Sequence, residues 1–118
     1  MERMKDIRAS EGDKEACESM TQIKLGELVV TRGIENEMEE TYGFKSFCMH
    51  CVLRHRDRDW GDLDPEDIQS NDYAADHHER ILSAYSIPKF YCLGYVDKIL
   101  VITEADRSVT TILFPYEY

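Results

Sequence analysis

RILSAYSIPKFYCLGYVDKILVITEADRSVTTILFPYEY, residues 80–118, decides the fold. Its runs RILSAYS, YCLGYVDKILVIT and SVTTILF are rich in β-branched and aromatic residues and read as three strands. EADR, residues 104–107, separates the last two runs as a turn, and Pro88 marks the other junction. Strands adjacent in sequence with short links favour an antiparallel meander.

Working upstream, IKLGELVVT at 23–31 reads as a fourth strand with one embedded glycine, placing Ile23, Leu25 and Glu27 on one face. Thr31 is placed to cap a helix over GIENEMEE that Gly43 ends. A second helix fits 45–55, where Phe47, Cys51 and His55 recur at i, i+4 and i+8 beside Cys48 and Val52. RDRDWGD then loops to Asp64. The order Asp64-Pro65-Glu66-Asp67 starts a third helix, with a capping acid and proline at the first helical position, running to His77 or His78. The expected fold is α+β: a four-stranded, mainly antiparallel sheet with two or three helices packed on one face. Residues 21–118 form that single domain, and residues 1–20, polar and without periodicity, read as a flexible N-terminal extension. At 118 residues the chain is long enough for a core without metal or disulfide staples.

Charge narrows the function classes. There are 24 acidic against 14 basic residues, a net charge of −10, and residues 34–76 alone hold 12 acids and 4 bases. Phosphate binding needs concentrated Lys and Arg, so direct DNA binding is disfavoured, while a partner with a basic surface is favoured. The bland reading of the same charge is solubility. Without an apolar signal run or membrane-length stretch, Cys17, Cys48, Cys51 and Cys92 read as reduced thiols of a cytoplasmic protein. Cys48, Cys51 and His55 share a helical face and could bind zinc if Cys92 joined them, but the single CxxC and its apolar flanks favour buried thiols. No cofactor motif is present.

Two patches concentrate polar side chains. The first, residues 55–72, sets His55, Asp57, Asp59, Asp62, Asp64 and Glu66 around Trp60, with Gly61 permitting a tight turn. Trp60 should be buried between the 45–55 helix, the 64–77 helix and the sheet, with Leu100 and Ile102 or their neighbours in the third strand beneath it. Asn71 and Asp72 are placed to reach back toward this loop. The second, ITEADRSVTT at 102–111, presents Glu104, Asp106, Arg107 and Ser108 at a hairpin; there Asp106 can hold turn amides and Arg107 can pair with Glu104. His55, next to carboxylates, is an acid–base candidate; the alternative is that it caps its helix. Arg107 would steady a phosphate, and Ser108 or Tyr85 would position it.

The string His55…Trp60-Gly61-Asp62, with Asn71, RILSAY at 80–85 and ITEADRSVTT…PYEY at 102–118, resembles a family of small bacterial proteins of unknown function found on plasmids, prophages and other mobile elements. The resemblance covers roughly residues 24–118; the cysteines of CMHC and a glycine missing before Trp60 depart from it. It implies a role in conflict between element and host. Two expectations result. The first is a small acidic binding protein, an anti-defence inhibitor that uses Asp57, Asp59, Asp62, Asp64, Glu66, Glu104 and Asp106 to mask the basic, nucleic-acid-binding surface of a host protein. The alternative is a metal-independent ribonuclease-like enzyme built on His55, Arg107, Ser108 and Tyr85.

Overall fold

The computed structural model describes residues 22–118. Its elements are β1 (Glu27–Val30), α1 (Arg32–Glu40), α2 (Phe44–Arg56), α3 (Pro65–His77), β2 (Ile81–Ser86), β3 (Lys98–Thr103) and β4 (Val109–Leu113). Short 3-10 turns lie at Lys89–Tyr91 and Pro115–Glu117. The expected extension at 1–20, and Cys17 with it, lie outside the described residues. The architecture is the α+β class expected, a four-stranded sheet with three helices packed against it.

The sheet runs in the order β1-β4-β3-β2. Strands β2, β3 and β4 form the antiparallel meander, with Ser83 opposite Val101 and Val101 opposite Ile112. Strand β1 joins β4 in parallel, Leu28 opposite Thr110, so the first strand pairs with the last. Of the three helices only α3 starts on a local side-chain cap. Asp64 accepts a hydrogen bond from the Asp67 amide at 3.0 Å, and Pro65 begins α3. The stripe of α2 is Phe44, Cys48, Cys51, Val52 and His55, all buried. Helix α1 is capped from a distance. Thr31 makes no side-chain cap there; its hydroxyl donates to Glu117 Oε1 at 2.6 Å, while Glu117 Oε2 accepts from the Gly33 amide at 2.9 Å. A carboxylate from the far end of the chain therefore caps α1.

Two strand expectations need correction. Strand β3 begins at Lys98 rather than Tyr91. The Tyr91 and Cys92 amides bond back to Pro88 and Lys89, and Cys92 takes φ 58°, which turns the chain out of extended geometry. Strand β1 begins after Gly26, not across it. Gly26 has φ 67°, and a Cβ there would run into the Arg107–Ser108 backbone. That bend moves the register, so Leu28 enters the core and Glu27 is exposed.

The main core lies between the sheet and helices α1 and α2, where Leu28, Tyr85, Ile99, Val101 and Ile112 meet Ile34, Phe44, Cys48, Cys51, Val52 and Phe114. By strand alternation Ala84, Leu100, Ile102 and Leu113 occupy the opposite face, with Leu63 and Leu82 against them. Trp60 is 3% exposed, as its expected burial requires, but its neighbours are Ile23, Ala74 and Ile81 rather than Leu100 and Ile102. It lies beside the β2 edge rather than beneath β3. Among the described residues no helix is long and apolar enough to cross a membrane.

Candidate functional site

The dense polar patch around Trp60 is built against the outer edge of β2. The Trp60 carbonyl accepts from the Ala84 amide at 3.3 Å, and the Asp62 amide donates to the Ala84 carbonyl at 2.7 Å. Asp62 Oδ2 then accepts from both the Ser86 amide and its hydroxyl, at 2.9 and 2.7 Å. Further along, the Asn71 side chain donates to the Leu82 carbonyl at 2.8 Å and faces the Leu82 amide at 3.4 Å. The indole N–H donates to Asp72 Oδ1 at 2.9 Å, so Asp72 does reach the loop, whereas Asn71 reaches the strand. Gly61, at φ 79°, lies against Ala84; a Cβ would overlap the Ala84 carbonyl oxygen and crowd the Tyr85 ring. These residues seal an edge strand that would otherwise offer free backbone groups.

His55 sits beneath this seal with no exposed surface. Its Nδ1 lies 2.5 Å from Ser83 Oγ and its Nε2 2.9 Å from Thr103 Oγ1. The proton directions can be traced from the far end. Thr110 donates to the Leu25 carbonyl at 2.7 Å, so it accepts from Thr103, also at 2.7 Å. Thr103 therefore accepts from His55 Nε2–H, and Nδ1 accepts from Ser83. Burial, with the Arg107 charge as a smaller cause, pushes the imidazole down to about 3, so it stays neutral. It packs edge-on to Trp60, ring centroids 5.5 Å apart.

The other residues expected to catalyse have structural partners of their own. Tyr85 is buried, donates to the Asp59 carbonyl at 2.7 Å, and has its phenol pushed up by burial. Arg107 donates to four backbone oxygens, Ala74 and Glu79 at the end of α3 and Glu104 and Ala105 in its own turn, at 2.8–3.2 Å. Its guanidinium thus ties the β3–β4 hairpin to the carbonyl end of α3, where a cation is favoured. Glu104 pairs with Arg80, not Arg107, at 3.5 Å. Asp106 accepts from the Ser108 amide and hydroxyl at 3.0 and 2.6 Å, which lowers its own pKa. A proton-transfer centre needs an imidazole that substrate can reach, and His55 has no exposed surface.

Zinc fares no better. Cys48 and Cys51 are buried, with Cys51 pushed up to about 12 by burial, and Cys92 is exposed on its loop. Among the described residues no group of three or more His, Cys, Asp or Glu side chains is placed to hold a metal ion.

What faces solvent is acid. Between Asp59 and Glu79 the chain carries eight carboxylates and no Lys or Arg, and all eight residues are exposed. Some have partners: Asp59 with Arg54 at 2.8 Å, and Asp76 with Arg58 at 3.2 Å. At the start of α3 three acids crowd together; Asp64, then Glu66, hold the fully exposed Asp67 carboxyl above its usual range. Asp57 sits just outside this ridge, exposed and bonded to Arg56 and Gln22. Sequence reasoning missed a second exposed feature, Tyr42 at 99% and Phe90 at 76% exposure, because neither lies in a periodic stretch. No family model, curated protein or solved structure matches the chain.

Proposed function

We propose that this is a small acidic, cytoplasmic binding protein of mobile-element type, an anti-defence inhibitor that masks the basic, nucleic-acid-facing surface of a host protein. One observation carries the reading: eight exposed carboxylates along 59–79, a stretch with no Lys or Arg of its own, in which only Asp59, Asp72 and Asp76 have an arginine from outside it within 4.0 Å among the described residues. At the start of α3, where Asp64 and Glu66 hold the Asp67 carboxyl above its usual range, an incoming Lys or Arg would relieve the repulsion. The same field repels nucleic acid, so competition with DNA or RNA would act through the partner.

The test is capture from a bacterial host lysate at low and high salt, alongside a variant carrying Glu66→Gln, Asp67→Asn and Glu79→Gln. The expected outcome is a nucleic-acid-binding protein retained at low salt, released at high salt and lost with the variant. Retention of nothing at either salt, or equal retention by the variant, removes the proposal.

A further inference from the structure

We infer that the hollow between the α1–α2 turn and the Lys89–Tyr91 turn receives a single Lys or Arg side chain of the basic partner; this rests on the reading above and deepens it. The hollow holds about 570 Å³ and is lined by Glu40, Thr41, Tyr42, Gly43, Phe90 and Tyr91. Two aromatic rings stand at its rim in water, Tyr42 99% and Phe90 76% exposed, although neither is needed by the core. Exposed aromatics are among the residues that dominate protein–protein contacts when a partner covers them.

The mounting is firm. Tyr91 donates to the Gly43 carbonyl at 3.1 Å, joining the two turns. Its ring lies 5.8 Å from Phe44, edge to face, and 4.6 Å from Phe90. Phe90 is thus the outer end of an aromatic row rooted in the core.

The electrostatics select a cation. The last turn of α1 carries Glu39 and Glu40 and no basic residue. Carboxylates there face the negative end of the helix dipole, an unfavourable placement that a bound positive charge offsets. Ring faces attract the same charge, and a planar guanidinium stacks on them as well as pairing with a carboxylate. The chain uses this contact elsewhere, with Arg54 over the Tyr85 ring at 4.9 Å and Arg80 over Tyr118 at 5.5 Å.

The full-length chain would be titrated with nona-arginine and nona-lysine peptides, following backbone amide and aromatic NMR signals. Shifts at Tyr42, Gly43, Phe90 and Tyr91 are expected. The Tyr42→Ser/Phe90→Ser double variant, which alters only exposed rings, should keep its melting temperature and weaken binding roughly tenfold. Lys89→Gln, which removes the neighbouring positive charge, should tighten it. If shifts are confined to 59–79 and the double variant binds as well as the parent, this inference falls while the acidic ridge stands. Absence of binding by the parent at low salt would overturn both. Self-association of the free chain that the double variant abolishes would make a second copy the occupant and overturn the inference.

Discussion

Strand β2 turns the backbone of Leu82, Ala84 and Ser86 outward to meet Asn71, Trp60 and Asp62, whereas β1, at the other edge, turns Leu28 and Val30 toward no strand among the described residues. The β1 assignment follows from its parallel ladder: Glu27 and Thr31 donate to Ser108 and Ile112, so the groups of Leu28 and Val30 point away from β4. The contrast teaches where this chain spends its polar side chains. The motif richest in apparent chemistry closes six residues of edge strand, while the edge without such a motif is only four residues long. A short edge offers little template for unwanted pairing, so it tolerates having no strand partner among the described residues.

Four measurements break or sharpen that contrast. Trp60→Ala removes the largest side chain of the seal and should cost about 3–5 kcal/mol, a large part of a typical domain's stability. Thermal melts read it directly, and an unchanged melting temperature would mean that the seal does not depend on the indole. Asn71→Ala leaves the Leu82 edge groups without their partner and should cost about 1–3 kcal/mol in urea unfolding. The same truncation at Asn36, an exposed position on α1, should change stability by less than about 0.5 kcal/mol.

Acid should weaken the sealed side from beneath. His55 titrates near 6.5 when unfolded and near 3 when folded, so the unfolded chain binds the proton first. Stability from the neutral imidazole is therefore complete above about pH 6.5 and lost as pH falls toward 3. Between pH 7 and 5 the loss should reach about 2 kcal/mol. Asp59, Asp62 and Asp106 have lowered pKa values, so their contribution is present above about 4 and lost only below it, which separates the two effects. Urea midpoints at pH 7 and 5 test this; a His55→Gln variant should lose the slope. The smallest effect is also the most direct: amide exchange should be fast at Leu28 and Val30 and slow at Leu82, Ala84 and Ser86. Equal protection at both edges would mean that β1 is covered too.

Much of the fold could be read in advance because its causes are local. Asp64-Pro65 starts α3 by bonding three residues ahead, and the α2 stripe follows from helical spacing. The candidate site was legible only as a location. Trp60 and Gly61 were recognisable as a buried plug, but the strand they serve was not, because Ala84 lies more than twenty residues further on. Arg107 was expected to face a phosphate; it holds carbonyls at the end of α3, a partner fixed by how the hairpin docks. Tyr42 and Phe90 gave no periodic signal because they lie in turns, and only folding brings them to one hollow.

By itself, then, the sequence determined the α+β class, the meander of β2 to β4, the three helices and the acidity of 59–79. Each depends on residue type and short-range spacing, which no distant contact needs to supply. Tertiary structure alone decided that β1 pairs with β4, that Glu117 caps α1, and that His55 is a neutral core residue rather than an exposed base. The physical reason is reach: the hydroxyls that hold His55 lie 28 and 48 residues away, and the carboxylate that caps α1 lies 84 residues from the amide it accepts. A side chain's protonation and role are set by such neighbours, and local spacing does not contain them.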